Sequence, residues 1–142
     1  MKIDGGCHCG FIKYEAEVDP EKSAICHCTD CQVLSGTAFR TVIPVPKDHF
    51  KMLGGQPKIY VKTAASGAKR AQAFCPECGS PIYASAVSDP PAFNIRVGTA
   101  RQRAALPPKA QVWCQSALGW VMDPASVSKA PAQTKHQRGP GT

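Results

Sequence analysis

Residues 5–10 read GGCHCG, in which two cysteines are separated by one residue and flanked by glycines. Thiolates bound about 2.3 Å from one tetrahedral zinc ion lie roughly 3.8 Å apart, whereas residues i and i+2 of a regular strand lie about 6.6 Å apart. Cys7 and Cys9 can therefore bind one ion only where the backbone leaves a plain strand. Glycine permits a positive φ and a tight loop at such a place, so this stretch predicts a metal-binding turn.

Three further cysteine groups follow along the chain. Residues 26–31 read CHCTDC, residues 75–78 read CPEC, and Cys114 stands alone, which makes eight cysteines among 142 residues. A secreted disulfide scaffold and a redox Cys-x-x-Cys site are the alternatives to metal binding. The N-terminal MKIDGGCHCG has no apolar signal-peptide core, and neither Cys-x-x-Cys pair lies in an evident strand-then-helix unit. The clustering therefore favours zinc.

Spacing alone leaves the pairing of the clusters open. The thiols of 28 and 31 with those of 75 and 78 would also form an ordinary zinc ribbon. Two hairpin-rich segments separate the first clusters from Cys75, so that bound zinc has to tie the N-terminal part of the chain to its middle. We therefore expect metal binding to be coupled to folding.

The hydrophobic pattern predicts a sheet protein with little helix. In residues 11–18 every second side chain is apolar and most of those between are charged, which is typical of a half-buried antiparallel strand. Further short strands are predicted at 38–45, 50–53, 58–63, 69–74, 81–86, 93–97 and 111–115. In 58–63 we expect Ile59 and Val61 to face the core. A helical turn is expected at 30–35 and irregular chain at 98–108, so the predicted class is all-β, built from short antiparallel sheets.

Length and composition predict one domain over residues 1–125 and a flexible basic tail over 126–142. The hydrophobic content of 43% is enough for a core. No apolar run approaches the roughly 18 residues of a membrane helix, so we expect no membrane partner and a soluble, cytoplasmic protein. The formal net charge is +7, but the tail carries three of the cations, and zinc-bound thiolates would reduce the charge of the remainder to about +1. We therefore do not expect nucleic acid as a partner.

The flanks of the cysteines resemble the glutathione-dependent formaldehyde-activating (GFA) family, which includes the centromere-protein-V-like domains. The matching stretches are GGCHCGFIKYEAE (5–17), CHCTDCQVLSGTAF (26–39), FCPECGSPIY (74–83) and, more weakly, QVWCQSALGW (111–120). The resemblance implies a β-tent fold with two zinc ions. One, structural, would be held by Cys7, Cys9, Cys75 and Cys78. The other would be held by Cys26, Cys28 and Cys31, with a position left open for the thiol of glutathione.

The reaction that the resemblance implies joins glutathione and formaldehyde to S-(hydroxymethyl)glutathione, a carbon–sulfur lyase reaction run in reverse. Three thiolates make zinc a poor Lewis acid for water, but they suit a soft thiol ligand. Bound glutathione would then present a thiolate nucleophile to formaldehyde or another small aldehyde. Two alternatives stay open: a non-catalytic glutathione or thiol carrier, and a zinc-stabilised interaction module.

Glutathione carries carboxylates, so cations are the other expected feature of a binding site. Arg40 and Arg96 lie on predicted strands, and Arg101 and Arg103 lie in the irregular segment. Any of them could bind a carboxylate bidentately. We predict Arg40 and Arg96 as the glutathione contacts.

Several residues near the clusters have two interpretations. Cys114 could close the second zinc site as a fourth thiol, although a buried small hydrophobe is expected beside Trp113. Trp113 and Trp120 are expected in the core. His8 and His27 stand between ligands, where a side chain points away from the metal, so we expect them to face solvent or to hydrogen-bond behind the site.

Overall fold

Ten strands, one α-helix and five 3-10 turns make up the computed structural model, which describes residues 1–121, 125 and 127–132. The strands are β1 (Lys2–Gly6), β2 (Lys13–Glu17), β3 (Ala24–Cys26), β4 (Arg40–Pro46), β5 (Phe50–Gly54), β6 (Lys58–Thr63), β7 (Lys69–Phe74), β8 (Pro81–Ala86), β9 (Ala92–Arg96) and β10 (Ala110–Val112), and the helix is α1 (Thr29–Ser35). The 3-10 turns are Pro20–Lys22, Lys47–His49, Val97–Thr99, Arg103–Ala105 and Cys114–Ser116. The predicted all-β class is confirmed.

The strands form two sheets. One has the order β1-β2-β5, and the other has the order β10-β3-β4-β9-β8-β7-β6. Every pair is antiparallel except β10 with β3, which is parallel. This parallel pair departs from the expected antiparallel sheets. After β9 the chain passes through irregular segments and 3-10 turns, and β10 then adds to the open edge of β3 in the same direction.

Strand boundaries follow the hydrophobic pattern closely in the middle of the chain. Strands β6, β7 and β8 have the predicted bounds, and α1 ends at Gly36, which has a φ of 70°. Sequence reasoning missed β1 and β3, because short strands with glycine or cysteine at their ends give little alternation. The last predicted strand is shorter than expected, since 114–116 turns into a 3-10 helix.

The core lies between the two sheets. The alternation in β2 is confirmed, because Tyr14 and Ala16 are buried and the three charged side chains around them are exposed. Ile43 and Val45 of β4 and Ile95 of β9 meet them from the larger sheet. The Tyr14 hydroxyl is 2.9 Å from Thr99 Oγ1, so its polar end is satisfied inside the core.

The other face of the larger sheet is free to line a pocket. Residues of even number in β3, β4 and β9 point to this face, since Cys26 pairs with Arg40 and Val42 pairs with Arg96. Helix α1 lies beyond the end of β3, at the margin of the same face. One face of the sheet therefore builds the core, and the opposite face collects cysteine and arginine side chains.

The expectation that Ile59 and Val61 face the core is wrong. Their side chains are 44% and 45% exposed. Strand β6 is the edge of the larger sheet, and no strand of the smaller sheet covers it. Its alternation shows only that successive side chains take opposite faces, not that either face is covered.

The C-terminal predictions lie largely outside the described residues. The expected tail at 126–142 falls mostly in 126 and 133–142, and the domain boundary at 125 is flanked by 122–124, all of which the structure leaves undescribed. Within the described part of the chain, no helix is long and apolar enough to cross a membrane.

Candidate metal centres and anion pocket

Four cysteines from two distant parts of the chain converge on one point. The sulfur atoms of Cys7, Cys9, Cys75 and Cys78 all lie within 4.8 Å of one another. Cys7 Sγ is 3.6 Å from Cys9 Sγ, and Cys9 Sγ is 3.8 Å from Cys75 Sγ. These separations match those of thiolates on one tetrahedral zinc ion, about 3.8 Å. The zinc-ribbon alternative, which would pair Cys75 with Cys28, does not form.

Backbone N–H groups support this four-cysteine cluster. Ile12 N–H donates to Cys7 Sγ at 3.1 Å, and Glu77 N–H donates to Cys75 Sγ at 3.4 Å. A hydrogen bond from Ser80, at 3.2 Å, is the main reason that the pKa of Cys78 falls to about 5. Such donors favour the thiolate form that a metal requires.

Of the glycines around Cys7, one acts as expected and another has a different role. Only Gly10 has a positive φ, 86°, and its N–H closes the turn by donating to the Cys7 carbonyl at 3.2 Å. Gly6 belongs to β1, where a Cβ would overlap the carbonyl oxygen of Ile12. That carbonyl accepts from Cys7 N–H at 3.2 Å. Gly6 therefore allows two backbone segments to approach closely beside the cluster.

Replacing Gly6 with alanine is expected to destabilise the protein by about 1–3 kcal/mol, because the Ile12 carbonyl must move and its bond to Cys7 N–H is strained. Zinc content and the thermal midpoint should fall together. Gly98→Ala is the matched control, since a Cβ there meets nothing within 4 Å. An unchanged midpoint in Gly6→Ala would show that the close approach has no energetic consequence.

The second cluster contains three cysteines. The sulfur atoms of Cys26, Cys28 and Cys31 lie within 4.8 Å of one another. Cys26 ends β3, Cys28 caps the N-terminus of α1, and Cys28 Sγ accepts from Cys31 N–H at 3.2 Å. Asp30, in the first turn of α1, is not the cap. Instead its carboxylate pairs with Lys62 Nζ at 2.8 Å.

Cys114 does not belong to either cluster. It is exposed, so the expectation of a buried small side chain is wrong, and among the described residues it adds no fourth sulfur to the second cluster. Trp113 and Trp120 are also not core residues, because they are 53% and 67% exposed. The C-terminal segment that carries them lies outside the two packed sheets.

Both clusters have the donor chemistry of zinc sites. Four thiolates satisfy a closed tetrahedral site, and three leave one position for an added ligand. Burial, with the neighbouring thiols, raises the pKa of Cys31 to about 12. The Cys31 thiol therefore stays protonated beside its neighbours unless a cation lies between the sulfur atoms. The residues of each cluster thus fit a zinc ion.

A cavity of about 440 Å³ opens beside the three-cysteine cluster. Its lining includes Arg40 and Arg96, the two arginines predicted as glutathione contacts, together with Lys62 and Arg70, which were not predicted. Arg101 lies elsewhere and binds Asp4 with Nη2 at 2.8 Å from Oδ1. Strand alternation could have indicated Lys62 and Arg70, because both lie on the same sheet face as Gln72.

Arg40 and Arg96 are buried side by side, with exposed fractions of only 6% and 8%. Gln72 Oε1 accepts from both, at 3.5 Å from Arg40 Nη1 and 2.7 Å from Arg96 Nη2. Within the described residues, Nε and Nη2 of Arg40 and Nε of Arg96 have no hydrogen-bond partner. Burial, with Arg40 next to it, lowers the pKa of Arg96 to about 9, which leaves the guanidinium charged at pH 7.

The two histidines between ligands differ in their surroundings. His8 is exposed, whereas His27 is almost completely buried. His27 Nε2 is 2.7 Å from Gln111 Oε1, and the ring packs edge-on against Phe39 at 5.9 Å between centroids. Gln32 Nε2 donates to the His27 carbonyl at 2.8 Å. His27 therefore helps to position the segment between Cys26 and Cys28, behind the cluster.

The chain is thus an all-β protein with two cysteine clusters that could each hold a metal ion, one of them beside a cationic pocket. The family model for the glutathione-dependent formaldehyde-activating enzyme matches residues 2–116. The chain therefore belongs to the GFA family. The crystal structure of a Rhodobacter sphaeroides protein matches the fold with a TM-score of 0.58 at 17% identity, over 76% of this chain and 98% of that one.

Proposed function

We propose that this protein is a zinc-dependent enzyme of carbon–sulfur chemistry that joins glutathione to formaldehyde or another small aldehyde. The observation that carries the proposal is the pocket itself, in which a three-cysteine cluster lies beside two buried arginines whose donors are incompletely satisfied. Family membership supports glutathione as the thiol and formaldehyde as the aldehyde.

Zinc held by Cys26, Cys28 and Cys31 would supply a Lewis acid that favours the thiolate form of glutathione. In the overall reaction a carbon–sulfur bond forms between this thiol and the carbonyl carbon, and the thiol proton ends on the carbonyl oxygen. Formaldehyde offers no group to grip, so positioning has to come from the thiol partner. Arg40 and Arg96 are proposed to hold a carboxylate of glutathione in a charge-assisted pair.

Cys7, Cys9, Cys75 and Cys78 are proposed to hold a second zinc with a structural role. Their four sulfurs leave no ligand position open. The cluster also lies apart from the cavity, because none of its members lines it. The remaining parts of the proposal are a cytoplasmic location and no nucleic-acid partner.

A calorimetric titration of the two-zinc protein with glutathione, in two buffers of different ionisation enthalpy, tests the proposal. We expect one glutathione per chain and close to one proton released, because the thiol loses its proton when it becomes a metal ligand. S-methylglutathione should bind with no proton released. The absence of glutathione binding would overturn the proposal and favour the interaction module.

A rate assay separates an enzyme from a carrier. The zinc-loaded protein is expected to form the glutathione–formaldehyde adduct faster than the uncatalysed reaction, and Cys31→Ala should lose the acceleration. Binding with proton release but with no acceleration over the spontaneous rate would identify a glutathione carrier.

A further inference from the structure

The pocket carries more positive charge than one carboxylate requires. Four strands each contribute a cation to its lining: Arg40, Lys62, Arg70 and Arg96. Among the described lining residues Asp30 is the one carboxylate, and it pairs with Lys62. With Asp30 and a zinc ion on three thiolates included, about two positive charges remain in excess. Such a pocket suits a ligand that keeps two negative charges after any ammonium group it carries has been balanced by one of its own carboxylates.

Arg70 is the cation with no assigned role. It lies opposite Lys62 and Ala86 in the sheet, on the same face as Gln72, and it is half-buried at the wall of the cavity. None of the ion pairs within the described residues includes it. Its charge acts unfavourably on that of Arg96.

The strand order and register of the larger sheet set the separation of Arg70 from Arg96. Strand β8 lies between β9, which carries Arg96, and β7, which carries Arg70. Arg70 pairs with Ala86, whereas Arg96 lies two residues beyond Asn94, the partner of Ala84, so the two arginines are also offset by four residues along the strands. Two strand spacings of about 4.8 Å and four residue rises of about 3.3 Å place their Cα atoms about 16 Å apart. A tripeptide spans at most about 10–11 Å. A tripeptide covers most of this separation and the long arginine side chains cover the rest, whereas a single amino acid or a two-carbon thiol anchored at the cysteines covers much less of it.

We propose that Arg70 forms a second anion subsite. It binds the substrate carboxylate that lies farther from the Arg40–Arg96 pair. The subsite thereby selects thiols of tripeptide length that carry a carboxylate at each end. This inference rests on the proposed function, since it takes the sulfur of the substrate to lie at the three-cysteine cluster. It assigns to Arg70 the discrimination between glutathione and shorter thiols.

Binding of three thiols to the two-zinc protein tests the subsite. Glutathione carries both terminal carboxylates, cysteinylglycine lacks the γ-glutamyl end, and γ-glutamylcysteine lacks the glycine end. Each is titrated calorimetrically into the wild type, Arg70→Met and Lys69→Met. Lys69 is the matched control because it is adjacent, exposed and bonded to Thr63 Oγ1 at 2.6 Å, on the opposite face of β7.

Arg70→Met is expected to weaken glutathione binding about tenfold or more, the value of one charge-assisted hydrogen bond. It should weaken one of the two truncated thiols similarly and leave the other unchanged, because one of them lacks the carboxylate that Arg70 binds. Lys69→Met should leave all three affinities unchanged. The thermal midpoint of Arg70→Met, measured without ligand, should match that of the wild type.

Two results would overturn the inference while the proposed function stands. One is unchanged glutathione affinity in Arg70→Met. The other is an equal loss for both truncated thiols, which would indicate a diffuse electrostatic effect. If glutathione fails to bind the wild type at all, the proposed function fails, and the subsite falls with it.

Discussion

Replacing Cys75 with alanine is expected to unfold the domain at 37 °C. Cys75 is fully buried, belongs to the core cluster and donates its N–H to the Ser80 carbonyl at 2.9 Å. Its sulfur joins the end of β7 to the loop after β1, which lies more than sixty residues earlier in the chain. Structural zinc contributes about 10–16 kcal/mol in small zinc domains, which equals or exceeds the 5–15 kcal/mol stability of a whole domain.

Circular dichroism melts and metal analysis of the purified protein measure this effect. Cys75→Ala should lose the cooperative transition and its zinc. Cys114→Ala is the control, because Cys114 is an exposed cysteine outside both clusters, and it should keep two zinc ions and the wild-type midpoint. A cooperative melt within a few degrees of wild type in Cys75→Ala would mean that the fold does not depend on this site.

Replacing Arg96 with methionine is expected to move binding and stability in opposite directions. Glutathione affinity should fall at least about a hundredfold, because a bidentate carboxylate contact contains two charged hydrogen bonds of about 1.5–3 kcal/mol each. The free energy of unfolding at pH 7, measured without ligand, should stay constant or rise by up to about 4 kcal/mol, since a buried charge beside Arg40 is removed. Gln72 Oε1 keeps Arg40 as its donor.

The stability difference between the wild type and Arg96→Met is expected to depend on pH. The folded state lowers the pKa of Arg96 to about 9 from an ordinary value of 12.5. The unfolded chain therefore binds more protons between those values, and the wild type gains stability as the pH rises through this window. The advantage of Arg96→Met in urea unfolding should shrink above pH 9. Arg103→Met removes a similar charge from an exposed position outside the pocket, and it should change neither quantity.

The cysteine clusters could be predicted from the sequence because chelation of one metal ion constrains residues that are close together in the chain. A Cys-x-Cys or Cys-x-x-Cys unit closes around one ion within a few residues, so spacing alone identifies each half of a site. The strands were readable for a similar reason, since alternation in 58–63, 69–74 and 81–86 reports the two faces of a strand directly. Local pattern does not report what covers a face, and this is why Ile59 and Val61 were placed incorrectly.

The pocket depended on which strands became neighbours. Arg40 and Arg96 were candidates by residue type and predicted strand. Alternation in β7 places Arg70 and Gln72 on one face, but it does not bring that face to the buried arginines. Those relations follow from the order β4-β9-β8-β7, in which chain neighbours and sheet neighbours differ.

By itself the sequence predicted an all-β protein with clusters of cysteines at metal-binding spacings, because chelation and strand alternation act over two to six residues. The tertiary structure decided how the cysteines divide into four and three, and which cations surround the three. Those outcomes depend on contacts between residues far apart in the chain, which a local sequence pattern does not report.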